Sequence, residues 1–506
     1  MKRLSTVRVS ALPAFVCLLC VIFTTGSRKA AAVSFPTSDG IVQVDNWGYQ
    51  LQGPAATNGE LLPGVLAAAP HDLIVMDFAR YGDEASKFTN SEVASIQNGP
   101  LGRRVAASYI SIGEASEFRS YWDTTPGAWT VDGTSNSPLA SNAPSWLGPV
   151  NPSFPESRKV RYWDPDWQDF IFGNSSSWLN QIVDQGFDAA YLDIVDAFFF
   201  WSVEVGDADR LPGDPARNDE ADAAARMIDF IVDMTAHARQ TNPDFFTIPQ
   251  NGAYILDALE GQDPIRQANY LDAIGAIGIE DIYYRGNDDL NNPLDTDADK
   301  VQVLKDFFID NDKPVFVVDY IDQAASIQSF DTISKADGFI PYAAPTRDLD
   351  VLGAPTTPGD YNGDGLLSCS DVDQLVAKLT AEPGSFSPPY DLDGDNQLTR
   401  DDLDTWIALK GTIPGDANLD GVVDASDFNV WNGSKFTAGQ GWCGGDFNGD
   451  GVTDGSDFNI WNSNKFQSAP VAVPEPDAMV LLFSVAFAIV VRRSFLPSAR
   501  QANLNE

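Results

Sequence analysis

The 506-residue chain predicts an α/β fold, a (β/α)8 TIM barrel followed by small all-α modules, on three observations. Six short apolar runs each stop at an acid or an amide. Leu73–Met76 stops at Asp77, Val105–Gly113 at Glu114 and Ala189–Leu192 at Asp193. Phe245–Pro249 stops at Gln250 and Asn251, Ala273–Ile279 at Glu280, and Pro314–Val318 at Asp319. A run apolar on both faces is a strand covered on both sides, as in a parallel sheet under helices. Polar residues at the C-terminal ends of such strands stand where α/β barrels place their chemistry. Helical periodicity fills the gaps: Asp219–Gln240 carries Ala223, Met227, Ile228, Ile231 and Met234 on one face, and Asp297–Ile309 repeats the pattern. Finally, residues 33–353 exceed the roughly 250 that a barrel needs. A doubly wound open sheet would want a Gly-rich phosphate turn after its first strand, and Asn46-Trp47-Gly48-Tyr49 is not one.

Taken in order, residues 1–32 read as a signal peptide. Lys2, Arg3 and Arg8 precede an apolar stretch from Ala11 to Thr24, and small residues Ala30–Ala32 follow. In 33–353 the candidate strands are Gln43–Leu51, Leu73–Ala79, Arg104–Gly113, Lys159–Trp163, Ala189–Ile194, Phe245–Asn251, Ala273–Glu280 and Pro314–Tyr320. Gly338–Ala344 is a ninth, one more than a barrel needs. In this count Asp193 ends the fifth strand and Glu280 the seventh. Two long loops, Asp123–Ser157 and the acidic Gly206–Asp219, lie over the expected mouth.

From Pro358 to Phe466 the sequence repeats itself four times. The copies are Asp360, Asn362, Asp364, Ser368, Asp371; Asp391, Asp393, Asp395, Thr399, Asp402; Asp416, Asn418, Asp420, Asp424, Asp427; and Asp446, Asn448, Asp450, Asp454, Asp457. Oxygen side chains at loop positions 1, 3, 5, 9 and 12 wrap a hard Ca2+ ion. Position 6 needs a positive φ and holds Gly365, Asn396, Gly421 and Gly451. Aspartate at position 12 and loops in pairs, over 358–411 and 414–467, resemble dockerin repeats. The resemblance implies a cohesin-like partner; a calcium-stiffened spacer is the other reading. Cys369 and Cys443 are the cysteines outside the leader, and the sequence leaves their pairing open.

Residues 473–495 close the chain with Val473-Pro474-Glu475-Pro476, an apolar stretch Ala478–Val491 and Arg492-Arg493. This order resembles the PEP-CTERM sorting tail. It implies cleavage by an exosortase-like protease and delivery to the cell surface or matrix, after a transient membrane anchorage. A net charge of −40 and no basic stripe exclude nucleic acid as a partner. Two histidines, His71 and His237, leave little material for a His-ligated zinc site or a Ser-His-Asp triad.

Carboxylates are therefore the available chemistry, and glycosidases work with two of them flanking the scissile bond. Trp47 and Trp163 lie near the strand ends and offer faces for sugar rings. The motifs Tyr109–Arg119 (YISIGEASEFR), Trp163–Trp167 (WDPDW), Gly186–Asp196 (GFDAAYLDIVD), Pro249–Gly252 (PQNG), Gly278–Asp281 (GIED) and Val318–Tyr320 (VDY) occur in that order. Together they resemble glycoside hydrolase family 114, the endo-α-1,4-polygalactosaminidase-like barrels. The resemblance implies a polysaccharide substrate of α-1,4-linked galactosamine and a catalytic pair that falls on Asp193 and Glu280. Asp193 is expected as nucleophile or stabilising carboxylate and Glu280 as general acid. No cofactor is expected for the catalysis itself. Asp77, Glu114, Gln250, Asn251 and Asp319 are expected to hold substrate groups. The rival expectation is a non-catalytic carbohydrate-binding or matrix protein working through its calcium modules.

Overall fold

The structure is a computed structural model and describes residues 33–259, 261–385 and 387–469. The expected leader 1–32 and sorting tail 473–495 lie outside the described residues. The chain divides into two compact units. The first ends at Thr356, with Asp393–Asp395 grouped with it; the second takes Thr357–Leu392 and the chain from Asn396 onward.

In the first unit, strands β1 (Trp47–Gln50), β2 (Leu73–Met76), β3 (Val105–Ser111), β4 (Ala189–Asp193) and β5 (Phe246–Pro249) form one parallel sheet in that order. Strands β6 (Ile277–Glu280), β7 (Val315–Tyr320) and β8 (Ile340–Ala344) form a second. Parallel bridges Thr247–Ile274 and Gln250–Gly278 join β5 to β6. At the other seam Trp47 Nε1 donates to the Ile340 carbonyl at 3.0 Å, and the Tyr342 hydroxyl to the Tyr49 carbonyl at 3.4 Å. Eight parallel strands in chain order make a TIM-barrel-like domain. Helices α1 (Pro63–Ala68), α2 (Asn90–Gln97), α3 (Trp178–Gln185), α4 (Glu220–Ala238), α5 (Pro264–Ala273), α6 (Ala298–Phe307) and α7 (Ala324–Ala336) follow β1 to β7 in turn. Asp219, Asp263 and Asp297 cap α4, α5 and α6 by accepting first-turn amides, and these acids also suit the positive end of the helix dipole.

The apolar runs pack on both faces. On β4, Ala190 and Leu192 join the layer under the helices, while Ala189 and Tyr191 join an inner core with Trp47, Tyr49, Phe316 and Tyr342. The hairpin Val33–Thr37/Gly40–Val44 adds Phe35 to that inner core, stacked on Phe246 at 4.9 Å.

Two strand expectations are corrected. Gln43–Leu51 is interrupted, because Asp72 takes the amides of Asp45 and Asn46 and turns the chain there. Lys159–Trp163 is not a barrel strand. Ser157–Val160 pairs antiparallel with Glu114–Ser116 and Leu147–Val150 in a separate three-stranded sheet. Its Arg158 is buried and spends its guanidinium on the carbonyls of Ser135, Ser137 and Gly148 in the long loop, so the segment belongs with that loop. The supernumerary Gly338–Ala344 supplies β8 instead. Asp193 thus ends the fourth barrel strand and Glu280 the sixth.

In the second unit, helices α8 (Cys369–Ala381), α9 (Arg400–Lys410), α10 (Ala425–Ser434) and α11 (Gly455–Asn464) follow the four repeat loops. The two expected modules share one core, which holds Val372, Leu375 and Trp406 from the first pair with Ala417, Trp442 and Phe447 from the second. A Cys369–Cys443 disulfide crosses between them. Among the described residues no helix is long and apolar enough to cross a membrane.

Candidate active site

Strand alternation turns Tyr191 inward and leaves Asp193 at the C-terminal rim of β4. The Tyr109 hydroxyl on β3 donates to Asp193 Oδ2 at 2.7 Å, and the Ile194 amide to Oδ1 at 2.8 Å. Ile194 sits at φ +61°, a strained conformation for a β-branched residue. Gly113 leaves room for it, since a Cβ there would lie 2.3 Å from the Ile194 carbonyl oxygen.

Glu280 is held from both sides. Asn251, at φ +62°, donates through Nδ2 to Oε2 at 2.9 Å and accepts the Glu280 amide on its own Oδ1 at 3.1 Å. The Tyr320 hydroxyl donates to Oε1. Arg347 lies 3.9 Å from the Tyr320 ring centroid and forks onto both Asp281 oxygens at 3.0 and 2.8 Å.

Part of the Asp193 side chain is open to solvent. Even so, burial of its carboxyl, and then the nearby Glu280 carboxylate, push its pKa up to about 7. Burial also lifts the hydroxyls of Tyr49, Tyr109, Tyr191 and Tyr320 well above the usual tyrosine range, with charge repulsion from Asp193 or Glu280 adding to it. All four stay protonated at neutral pH. A cleft of about 640 Å³ opens beside Glu280, lined by Asp196, Phe199, Asn251, Tyr254 and Lys300 among others. With Glu220, Asp257 and Asp281 also in its wall, the cleft is acidic.

The structure brings Asp193, Glu280 and Asn251 together and sets Gln250 beside them, its Oε1 accepting from the Tyr49 hydroxyl at 3.2 Å. Other expected contact residues have structural partners. Trp47 opens β1 at the opposite end of the barrel and is 1% exposed, so it is core and not a sugar platform. Asp319 is fully buried and accepts the amides of Ile282, Tyr283 and Tyr284, which fixes the loop after Glu280 and leaves nothing for a substrate. Asp77 is buried in an ion pair with Arg119 at 2.8 Å. Glu114 pairs with Lys159 at 2.5 Å and accepts from Asn151. Trp163 packs edge-on against Trp201 at 5.4 Å with Arg226 over its ring. The sequence reading missed Tyr109, Tyr320 and Arg347 as site residues. The first two stand inside quoted motifs, where reading a tyrosine two residues or one residue from a strand-end polar group would have found them.

A parallel eight-stranded barrel with carboxylates at the C-terminal ends of its strands is an architecture that TIM-barrel glycoside hydrolases use. Residues 27–358 match glycoside-hydrolase family GH114, and the chain belongs to that family. A protein of Methanocaldococcus jannaschii is 31% identical over 315 residues, covering 60% of this chain and 77% of that one. A Thermotoga maritima protein is 28% identical over 345 residues, covering 66% and 90%. Among solved structures, a variant of the glycoside hydrolase domain of PelA from Pseudomonas aeruginosa matches 61% of this chain and 97% of its own, at 14% identity and TM-score 0.39.

Proposed function

We propose that the barrel cleaves internal bonds of an amino-sugar polysaccharide, of the α-1,4-linked galactosamine type, using Asp193 and Glu280. The observation that carries this reading is the pair itself: Asp193 is held near neutral by burial and by Glu280, and Glu280 lines an acidic cleft. Such a pair retains one proton at neutral pH, which is what acid-assisted glycoside cleavage requires. Glu280 lines the open cleft and is assigned the general acid. Asp193, kept by the Tyr109 hydroxyl and the Ile194 amide, is assigned the nucleophilic or stabilising carboxylate. The acidic wall favours a cationic, deacetylated substrate.

The test incubates the full chain with polygalactosamine. Asp193→Asn and Glu280→Gln are each expected to abolish oligosaccharide release. Undiminished hydrolysis by either amide variant overturns the reading.

The same proposal extends to the second unit, whose four loops would each hold one Ca2+. In its support, Gly365, Asn396, Gly421 and Gly451 all adopt positive φ at position 6. The position-12 carboxylates of Asp371, Asp427 and Asp457 each draw in the amides of positions 2, 3 and 9. The disulfide fits export to an oxidising compartment. Surface delivery through an exosortase-like protease, and a cohesin-like partner, complete the proposal. Cell fractionation checks the first, and calcium-dependent pull-down with a cohesin domain checks the second.

A further inference from the structure

The Glu280 cleft reaches well away from the carboxylate pair. Glu280 ends β6, while the same wall takes in Glu220 from the first turn of α4 and Lys300 from the first turn of α6. The cleft therefore runs from the barrel mouth outward to the ring of helices. Two aromatic side chains line that run, Phe199 from the turn after β4 and Tyr254 from the loop after β5. They are 41% and 38% exposed, so both offer open surface to the cleft. Exposed apolar faces that share one groove with a polar rim mark a binding surface.

Tyr254 stands apart from the reacting carboxylates. Partial burial, and then the charges of Asp297, Asp299 and Asp257, raise its hydroxyl, and neither Asp193 nor Glu280 is among those charges. Asp297 is spent on the Lys300 amide and on Arg285, and Lys300 Nζ stays 3.9 Å from the same carboxylate. The cation in this wall is thus already balanced. Asp257 shares the wall with Tyr254, and its side chain makes no hydrogen bond or ion pair among the described residues. A sugar ring offers a face of C–H groups to an aromatic ring, and an amino sugar adds an ammonium for a carboxylate. We propose that Tyr254 and Phe199 form an aromatic subsite for an amino-sugar unit removed from the scissile bond, its ring against Tyr254 and its ammonium beside Asp257. The subsite rests on the proposed function for the nature of the polymer. It grips a chain that extends past the cleavage point, as attack on internal bonds requires.

The test is calorimetric titration of the full chain carrying Glu280→Gln, which keeps the ligand intact, with an α-1,4-linked galactosamine tetrasaccharide. Adding Tyr254→Ala is expected to weaken binding about tenfold. Tyr254→Leu, which keeps apolar bulk without a ring face, is expected to weaken it in the same direction, and Tyr254→Phe to change it less than about twofold. Asp257→Asn is expected to weaken it about threefold at low salt. Urea unfolding of each variant checks that the barrel is intact. Parental affinity in Tyr254→Ala and Tyr254→Leu overturns the subsite, and so does an equal loss in Tyr254→Phe or the absence of any binding. Parental affinity in Asp257→Asn overturns the ammonium contact. Hydrolysis of polygalactosamine by the wild type is read separately. Hydrolysis with binding that ignores Tyr254 overturns the subsite alone, whereas Tyr254-dependent binding without hydrolysis overturns the proposed cleavage alone.

Discussion

At Asp193 a low-dielectric setting and a neighbouring carboxylate act against two hydrogen bonds, and the first two win, which places its titration near pH 7. The sign for stability follows. Between about pH 4 and pH 7 the folded protein holds a proton here that the unfolded chain has released, so stability falls as pH rises through that window. Asp193→Asn removes this penalty at the cost of one poorer hydrogen bond. The barrel's urea-unfolding free energy is therefore expected to rise by about 2 kcal/mol at pH 8 and to change little at pH 4. The hydrolytic kcat/KM is expected to fall as pH rises past about 7, when the pair loses its last proton. Tyr320→Phe separates chemistry from packing. The ring under Arg347 stays while the hydroxyl on Glu280 goes. Stability is expected to shift by less than about 1 kcal/mol, while kcat/KM falls about 10- to 100-fold. Strand-end acids were legible because an apolar run that stops at a carboxylate is visible in one dimension. Their partners were not. Arg119, which occupies Asp77, comes from the loop after the next strand, and the amides that occupy Asp319 come from the loop after β6.

At the scale of elements, the parallel strands were legible where both faces are apolar, as on β2, β4 and β7. Ser157–Val160 misled because a short stretch with hydrophobic flanks reads alike in a barrel and in an antiparallel sheet, and only the partners of Arg158 and Lys159 distinguish the two. β6 carries a constraint that the sequence hides. Gly278 has no need of a left-handed conformation, yet a Cβ on it would lie 2.2 Å from the Tyr191 hydroxyl oxygen in the inner core. Glycine is required there by space. Gly278→Ala is expected to cost about 1–3 kcal/mol in urea unfolding by overpacking. It is also expected to lower hydrolysis, because β6 carries Glu280 and Tyr191 leads to Asp193 on β4.

For the molecule as a whole, the fourfold repeat was readable from spacing, but its grouping was not: the sequence suggests two modules where one core and one disulfide join them. Cys369 and Cys443 are 74 residues apart. Cross-linking so long a loop removes much of the unfolded chain's freedom, so replacing both with serine is expected to destabilise the second unit by about 4 kcal/mol. Bound calcium would act on the same equilibrium by a different route, since it favours the folded loops in proportion to their occupancy. The carboxylates must be ionised to bind it, so the stabilisation by calcium is present at neutral pH and lost as pH falls through the carboxylate range. Calorimetry of the full chain at pH 7 is expected to show the second unit's transition rising with added calcium and falling with chelator. The disulfide-free variant is expected to depend on calcium more steeply, because its loops lose the covalent restraint that otherwise keeps them close to their folded arrangement. The barrel's transition should not follow loss of the disulfide, since both cysteines lie beyond Thr356 in the second unit.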